Sequence, residues 1–458
     1  ARDLKGEKSN VIAIIGDGSL SGGEALEGLD FVGEQNTNFI ILVNDNDMSI
    51  AENHGGLYKN LKALRESNGT CECNLFKAMG LDYLYLNEGN DLEKLIDTFK
   101  SVKDIDHPIV VHINTQKGKG YKFAEENKED WHWCMPFDVE TGKSTLNFSG
   151  EDYGTLTADF LLKKMKNDPT IVTLVAAVPT NIGFTKEKRE EAGKQFIDVG
   201  IAEEHAIAMI SGIAKNGGKP IFATHSSFIQ RTFDQMSQDL CINNNPATIL
   251  VNTASVYGMN DVTHLGIFDI PLISNIPNMV YLAPTSKDEY FAMLDWSIEQ
   301  QEHPVAIRIP CNGVITDKRE VDTDYSNLNK YKIEEKGSKI AIIALGDFYQ
   351  LGEEITKEIK AKLNITPTLI NPRYITGQDT ELLEELKNNH EIVITLEDGI
   401  LDGGFGEKIS RFYGTSNMKV KNYGIKKSFP DRYNANQLLK ENGISKEQII
   451  EDIINLRK

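Results

Sequence analysis

Three successive α/β domains with mostly parallel sheets are predicted for this chain of 458 residues. Two observations predict them. Short β-branched apolar runs alternate with helical segments in three series, and Gly-Asp or Asn-Asp clusters close the first strands, as in parallel sheets covered on both faces. The first series has strands at Val11–Ile15, Phe39–Val43 and Ile109–Ile113. Between the first two, Ala25, Leu26, Leu29 and Val32 recur at helical spacing within Gly22–Gly33. Ala1–Gly6 looks like the tail of a helix ending on a C-terminal glycine, so the chain is expected to begin inside a domain with its N-terminal part missing.

A polar stretch with Trp131, Trp133, Pro136, Gly142 and Gly150 follows and is expected to be a partly ordered linker. The second series has strands at Ile171–Ala177, Pro220–Ala223, Thr248–Val251, Val280–Ala283 and Val305–Ile309. The third has them at Ile340–Leu345, Thr368–Ile370, Ile392–Leu396 and Val420–Tyr423. The expected boundaries are 1–123 for a first, N-terminally incomplete domain, 124–152 for the linker, 153–318 for the second domain and 319–458 for the third. Lys186–Arg189 is a short charge run expected on a solvated face.

Composition limits the function. A net charge of −19 argues against nucleic-acid or anionic-membrane partners, and an anionic substrate would need a local cationic site. No apolar run reaches a membrane span of about 18 residues. Five thinly spread cysteines fit a reducing cytoplasm better than a disulfide framework, and Cys71-Glu72-Cys73 lacks the second pair of a zinc site.

Gly16-Asp17-Gly18-Ser19 and Asn44-Asp45-Asn46-Asp47-Met48-Ser49 carry the sharpest chemical signal. Each ends an apolar strand, where ligands bind in open parallel sheets. Asp17 and Asn46, 29 positions apart, offer hard oxygen donors suited to Mg²⁺ that also contacts phosphate. Gly16 and Gly18 allow a close backbone approach to a diphosphate. Singly, each cluster is an ordinary turn.

The pair matches the thiamine-diphosphate motif, and the likeness extends further. Gly16–Ala25, Asn44–Ile50, Lys117-Gly118-Lys119-Gly120-Tyr121, Trp131-His132, Asp198–Ala206, Ser227–Arg231, Thr263–Asp269 and Gly403-Gly404-Phe405-Gly406 occur in order. Together they resemble the 1-deoxy-D-xylulose-5-phosphate synthase family of transketolase-like enzymes. That resemblance implies diphosphate-binding, pyrimidine-binding and C-terminal domains, a homodimer, and the cofactors thiamine diphosphate and Mg²⁺. It places Mg²⁺ on Asp17, Asn46 and the Met48 carbonyl, with Lys117 near the phosphates. Glu203 would hydrogen-bond the aminopyrimidine and Phe228 would pack on it. The implied reaction takes pyruvate, releases CO₂ and adds the two-carbon unit to glyceraldehyde 3-phosphate. His132 and His264 are the candidate proton carriers.

The acceptor side departs from the family pattern. Thr253 and Cys311 stand where arginines are typical, leaving Arg231 of three expected phosphate-binding arginines. Asn260 replaces an expected Asp, and His225 an expected Tyr. Arg231, His225 and Asn260 are the expected substrate-binding residues. Alternatives are a related carboligase or transketolase with a different, non-phosphorylated acceptor, an E1-type 2-oxoacid dehydrogenase component, or an inactive binding protein.

Overall fold

The computed structural model describes residues 1–146, 150–316 and 319–458. Three positions of the expected linker, 147–149, and the expected boundary at 318 lie outside them. The described chain divides into two compact units. The first comprises residues 1–150, 176–179 and 198–202, and the second the remainder.

In the first unit a helical turn, α1 (Arg2–Lys5), ends on Gly6 in the left-handed conformation at φ 68°, as a C-terminal glycine allows. Four parallel strands follow: β1 (Ile12–Gly16), β2 (Phe39–Asp45), β3 (Asp82–Leu86) and β4 (Pro108–Asn114), in the spatial order β1-β2-β4-β3. Helix α2 (Gly23–Gly33) connects β1 to β2, and α3 (Gly56–Glu66) follows the second motif. Val43, Leu61, Leu64, Phe76 and Val110 form the core on one face of the sheet. β3 has only half-buried or exposed positions and carries no apolar run of its own. It is the strand that hydrophobic patterning passes over.

The second unit holds two sheets. One contains β5 (Ile171–Val175), β6 (Phe196–Asp198, whose last residue falls in the first unit), β7 (Lys219–His225), β8 (Thr248–Asn252), β9 (Val280–Leu282) and β10 (Val305–Arg308), ordered β6-β5-β7-β8-β10-β9. The other contains β11 (Lys332–Glu335), β12 (Lys339–Ala344), β13 (Thr368–Asn371), β14 (His390–Ile400) and β15 (Lys419–Ile425), ordered β11-β13-β12-β14-β15. The edge strand β11 pairs antiparallel with β13. Helix α4 (Glu203–Lys215) packs Ala206, Ile207 and Ile210 inward after β6. Helices α5 (Asp269–Ile273) and α6 (Phe405–Tyr413) lie further on. Residues of the 256–267 loop, Val256, Leu265 and Ile267, share a core with Ile342, Ile394 and Leu396 of β12 and β14, so the two sheets of this unit are one packed body.

Candidate active site

Chemistry-bearing residues gather at strand ends in each unit. In the first unit the backbone leaves β1 at Gly16 and enters a 3₁₀ turn at Gly18. A Cβ on Gly18 would lie 2.5 Å from the Ser49 Oγ, so only glycine permits the approach of the two motif loops. Asp17 is 2% exposed. Its Oδ2 accepts from the Met48 amide at 3.1 Å and from Asn53 Nδ2 at 2.9 Å. The same Met48 amide donates to Asn46 Oδ1 at 3.2 Å. Asp17 and Asn46 therefore converge on one point, as their spacing predicts. Burial, with the neighbouring Asp45, pushes the Asp17 carboxyl up to about 6. A carboxylate so placed favours a cation beside it. No cluster of three or more His, Cys, Asp or Glu side chains able to hold a metal occurs among the described residues. A cation here would complete its shell with the amide oxygen, a main-chain carbonyl and phosphate, a donor set that suits Mg²⁺.

Behind this point Asp45 is fully buried. It accepts from Arg65 Nη1 at 2.6 Å and is 2.8 Å from His112 Nε2, whose Nδ1 lies 2.7 Å from the Tyr83 hydroxyl. Burial works to raise the Asp45 carboxyl, but the bonds from His112 and Arg65 hold it below the usual range. Arg65 also pairs with Asp47 at 2.6 Å, clamping both ends of the Asp45–Asp47 segment, where Asp47 takes the left-handed φ of 63°. Asn53, Arg65 and His112 are outside the motifs, and nothing in their sequence context marks them.

Lys117 Nζ donates to the Ser49 carbonyl and lies 3.1 Å from His132 Nδ1. Burial lowers the Lys117 ammonium, and burial together with Lys117 lowers His132, which favours a neutral imidazole. Lys117, His132 and Ser49 thus form a group within the first unit. Ser19 is exposed in the 3₁₀ turn.

In the second unit Glu203 opens α4 and is 3% exposed. Burial raises its carboxyl, against the pull of Arg231. Arg231 donates from Nη1 to Glu203 Oε2 at 3.1 Å and from Nε to Glu204 Oε1 at 2.9 Å. The arginine expected at the acceptor phosphate is therefore held by two carboxylates of the first turn of α4. The Phe228 ring lies between two imidazoles, with centroids 5.0 Å from His225 and 5.5 Å from His264. His225 Nδ1 is 2.9 Å from Thr253 Oγ1, and burial pushes that imidazole down to about 4, so it is neutral. His264 Nδ1 is 2.7 Å from Thr263 Oγ1. Thr253 has φ 54°, strained for a β-branched residue. Gly258 and Gly266 secure it, since a Cβ on either would fall within 2.1 Å of the Thr253 carbonyl oxygen. Asn260 donates from Nδ2 to the Tyr433 carbonyl at 2.9 Å and stands on the exposed loop surface. Cys311 is a free thiol whose amide donates to Asp347, and Cys71 and Cys73 are likewise free.

Three family models match the chain in succession. The family model for 1-deoxy-D-xylulose-5-phosphate synthase matches residues 1–73 and 64–115. The transketolase pyrimidine-binding domain model matches 150–313, and the transketolase C-terminal domain model 329–449. The 1-deoxy-D-xylulose-5-phosphate synthases of Clostridium tetani and Clostridium beijerinckii are each 34% identical over 100% of this chain and 79% of their own length. That of Alkaliphilus oremlandii is 33% identical over 99% of this chain and 78% of its own. Among solved structures, a Campylobacter jejuni transketolase is 18% identical with a TM-score of 0.54, covering 98% of this chain and 78% of that one. A split-gene transketolase, described as an inactive beta4 tetramer, is 20% identical with a TM-score of 0.57, covering 66% of this chain and 96% of its own. At these identities the solved structures establish the transketolase fold alone.

Proposed function

The chain belongs to the 1-deoxy-D-xylulose-5-phosphate synthase family, and from that premise we propose how its own residues serve the reaction. The activity is that of a thiamine-diphosphate-dependent transferase of the transketolase class. Pyruvate is decarboxylated and the two-carbon unit is added to glyceraldehyde 3-phosphate. The match along the whole chain favours this acceptor over a non-phosphorylated one.

Asp17, Asn46 and the Met48 carbonyl would hold Mg²⁺ with the diphosphate, and the backbone at Gly16 and Gly18, with Ser19, lines its approach. Three features support this: the convergence of Asp17 and Asn46, the raised Asp17 carboxyl and the closeness that Gly18 permits. Thiamine diphosphate, when bound, supplies the electron sink that decarboxylation of a 2-oxoacid requires. Glu203, kept out of water, holds a proton toward the aminopyrimidine, and Phe228 offers that ring an apolar face. Lys117 contributes positive charge near the phosphates. His132 and His264 carry protons at the reacting carbon, with neutral His132 ready to accept one. His225, Asn260 and the face of Arg231 not engaged by Glu203 and Glu204 contact the acceptor. A homodimer in the cytoplasm completes the reading. Among the described residues no helix is long and apolar enough to cross a membrane.

The buried Glu203 carboxylate, in a chain matched throughout by synthases, carries the assignment. CO₂ release from pyruvate is measured with thiamine diphosphate and Mg²⁺, with glyceraldehyde 3-phosphate or with unphosphorylated glyceraldehyde. A selective response to the phosphorylated aldehyde is expected. An equal response to both would move the assignment to a carboligase with another acceptor.

A further inference from the structure

Helix α6 carries Lys408 and Arg411 one turn apart, and both line a cavity of about 650 Å³. The lining also includes Ser274 and Asn275, just beyond α5, together with Gln378. None of these residues belongs to the catalytic group. Lys408 is partly buried, and among the described residues its ammonium donates only to the Ile375 carbonyl, at 3.2 Å. The Arg411 guanidinium makes no hydrogen bond or ion pair among those residues, and its charge works against that of Lys408. Burial pushes Lys408 down to about 8, with the charge of Glu397 opposing the fall and that of Arg411 adding to it.

Two carboxylates stand nearby: Glu397, whose charge draws on Lys408, and Glu407, which lines the same cavity. Glu397 accepts from the amides of Phe405 and Gly406 at 2.7 and 2.8 Å, and Glu407 accepts from the amide of Gly403 at 2.8 Å. Among the described residues the buried Ser274 Oγ has no hydrogen-bond partner. Two cations one turn apart on a single cavity repel, and an anion between them removes that cost. A double charge suits phosphate better than a carboxylate. The volume falls within the range of small-molecule sites and exceeds what a bare ion fills.

We propose that this cavity binds a small organic phosphomonoester, with its phosphate on Lys408 and Arg411 and its organic part against Ser274, Asn275 and Gln378. The test is calorimetric titration of the full chain, with thiamine diphosphate and Mg²⁺ present. The probes are sn-glycerol 3-phosphate, inorganic phosphate, and sodium chloride at equal ionic strength. Glycerol phosphate is expected to bind more tightly than inorganic phosphate, and chloride not at all. Lys408→Met and Arg411→Leu are each expected to weaken glycerol phosphate about tenfold or more, the loss of one charge-assisted bond. Arg411 is exposed, so Arg411→Leu carries the test if Lys408→Met does not fold. Binding unchanged in both variants would overturn the proposal, as would wild-type binding no better than chloride. Binding of inorganic phosphate without the organic ester would reduce the cavity to an ion site and overturn it equally.

Discussion

Glu203 and Asp17 are carboxylates that the fold keeps from water, and each is costly to bury without a partner. That cost is accepted where a group must hold a proton or meet a cation. Glu203→Gln keeps shape and hydrogen bonding but removes the exchangeable proton. Turnover of pyruvate is expected to fall about 10²–10⁴-fold with an unchanged circular dichroism spectrum. Activity within a few-fold of wild type would remove Glu203 from the mechanism. Asp17→Ala is expected to abolish Mg²⁺-dependent cofactor binding in a calorimetric titration, and an unaltered titration would contradict the assigned ligand. The convergence of Asp17 and Asn46 was legible because each closes an apolar strand at a fixed spacing. Asn53, Glu204 and the Arg65–Asp45–His112 group were not. Their partners lie 20 to 67 positions away, apart from the adjacent Glu203–Glu204 pair, which Arg231 gathers from 27 and 28 positions on.

Elements are held in place by charges buried between them. Arg308, on β10, donates from Nε to Asp269 of α5 at 2.8 Å and from Nη1 to Asp398 of β14, and Tyr281 of β9 donates to Asp269. Arg308→Leu leaves two buried carboxylates without their counter-charge and is expected to cost about 3–5 kcal/mol. The midpoint of urea unfolding followed by circular dichroism checks it, and a midpoint equal to wild type would contradict it. Glu397 closes the start of α6, and burial pushes its carboxyl up from 4.5 to about 8. In the folded state this group therefore binds its proton more tightly than in the unfolded chain. Its contribution is fully present below about pH 4.5 and is lost as pH rises through about 8, with an upper magnitude on the order of 5 kcal/mol. Glu397→Gln is expected to flatten the fall in urea midpoint across that interval. A variant with the same pH profile as wild type would show that Glu397 does not titrate there.

For the whole molecule, the proposed homodimer predicts that light scattering gives twice 51.2 kDa. A mass of one chain at micromolar concentration would contradict it. Strongly acidic overall, the protein must draw phosphorylated ligands to local cations rather than to a general field. Lys117, Arg231 and Lys408 are the cations proposed for that role, and each has close neighbours: Ser49 and His132, the Glu203–Glu204 pair, and a cavity lining.

By itself the sequence determined the three α/β series, the helical turn ending at Gly6 and the pairing of Asp17 with Asn46. Hydrophobic period, strand-end glycines and motif spacing are local properties, and each survives without knowledge of distant contacts. Only the tertiary structure decided that β3, β6 and β11, which are short or amphipathic, join the sheets. It also decided that Arg231 faces Glu203 and Glu204, that His225 is neutral, and that Lys408 and Arg411 share a cavity. A side chain's partner and protonation depend on burial and on residues far along the chain, and no local pattern records either.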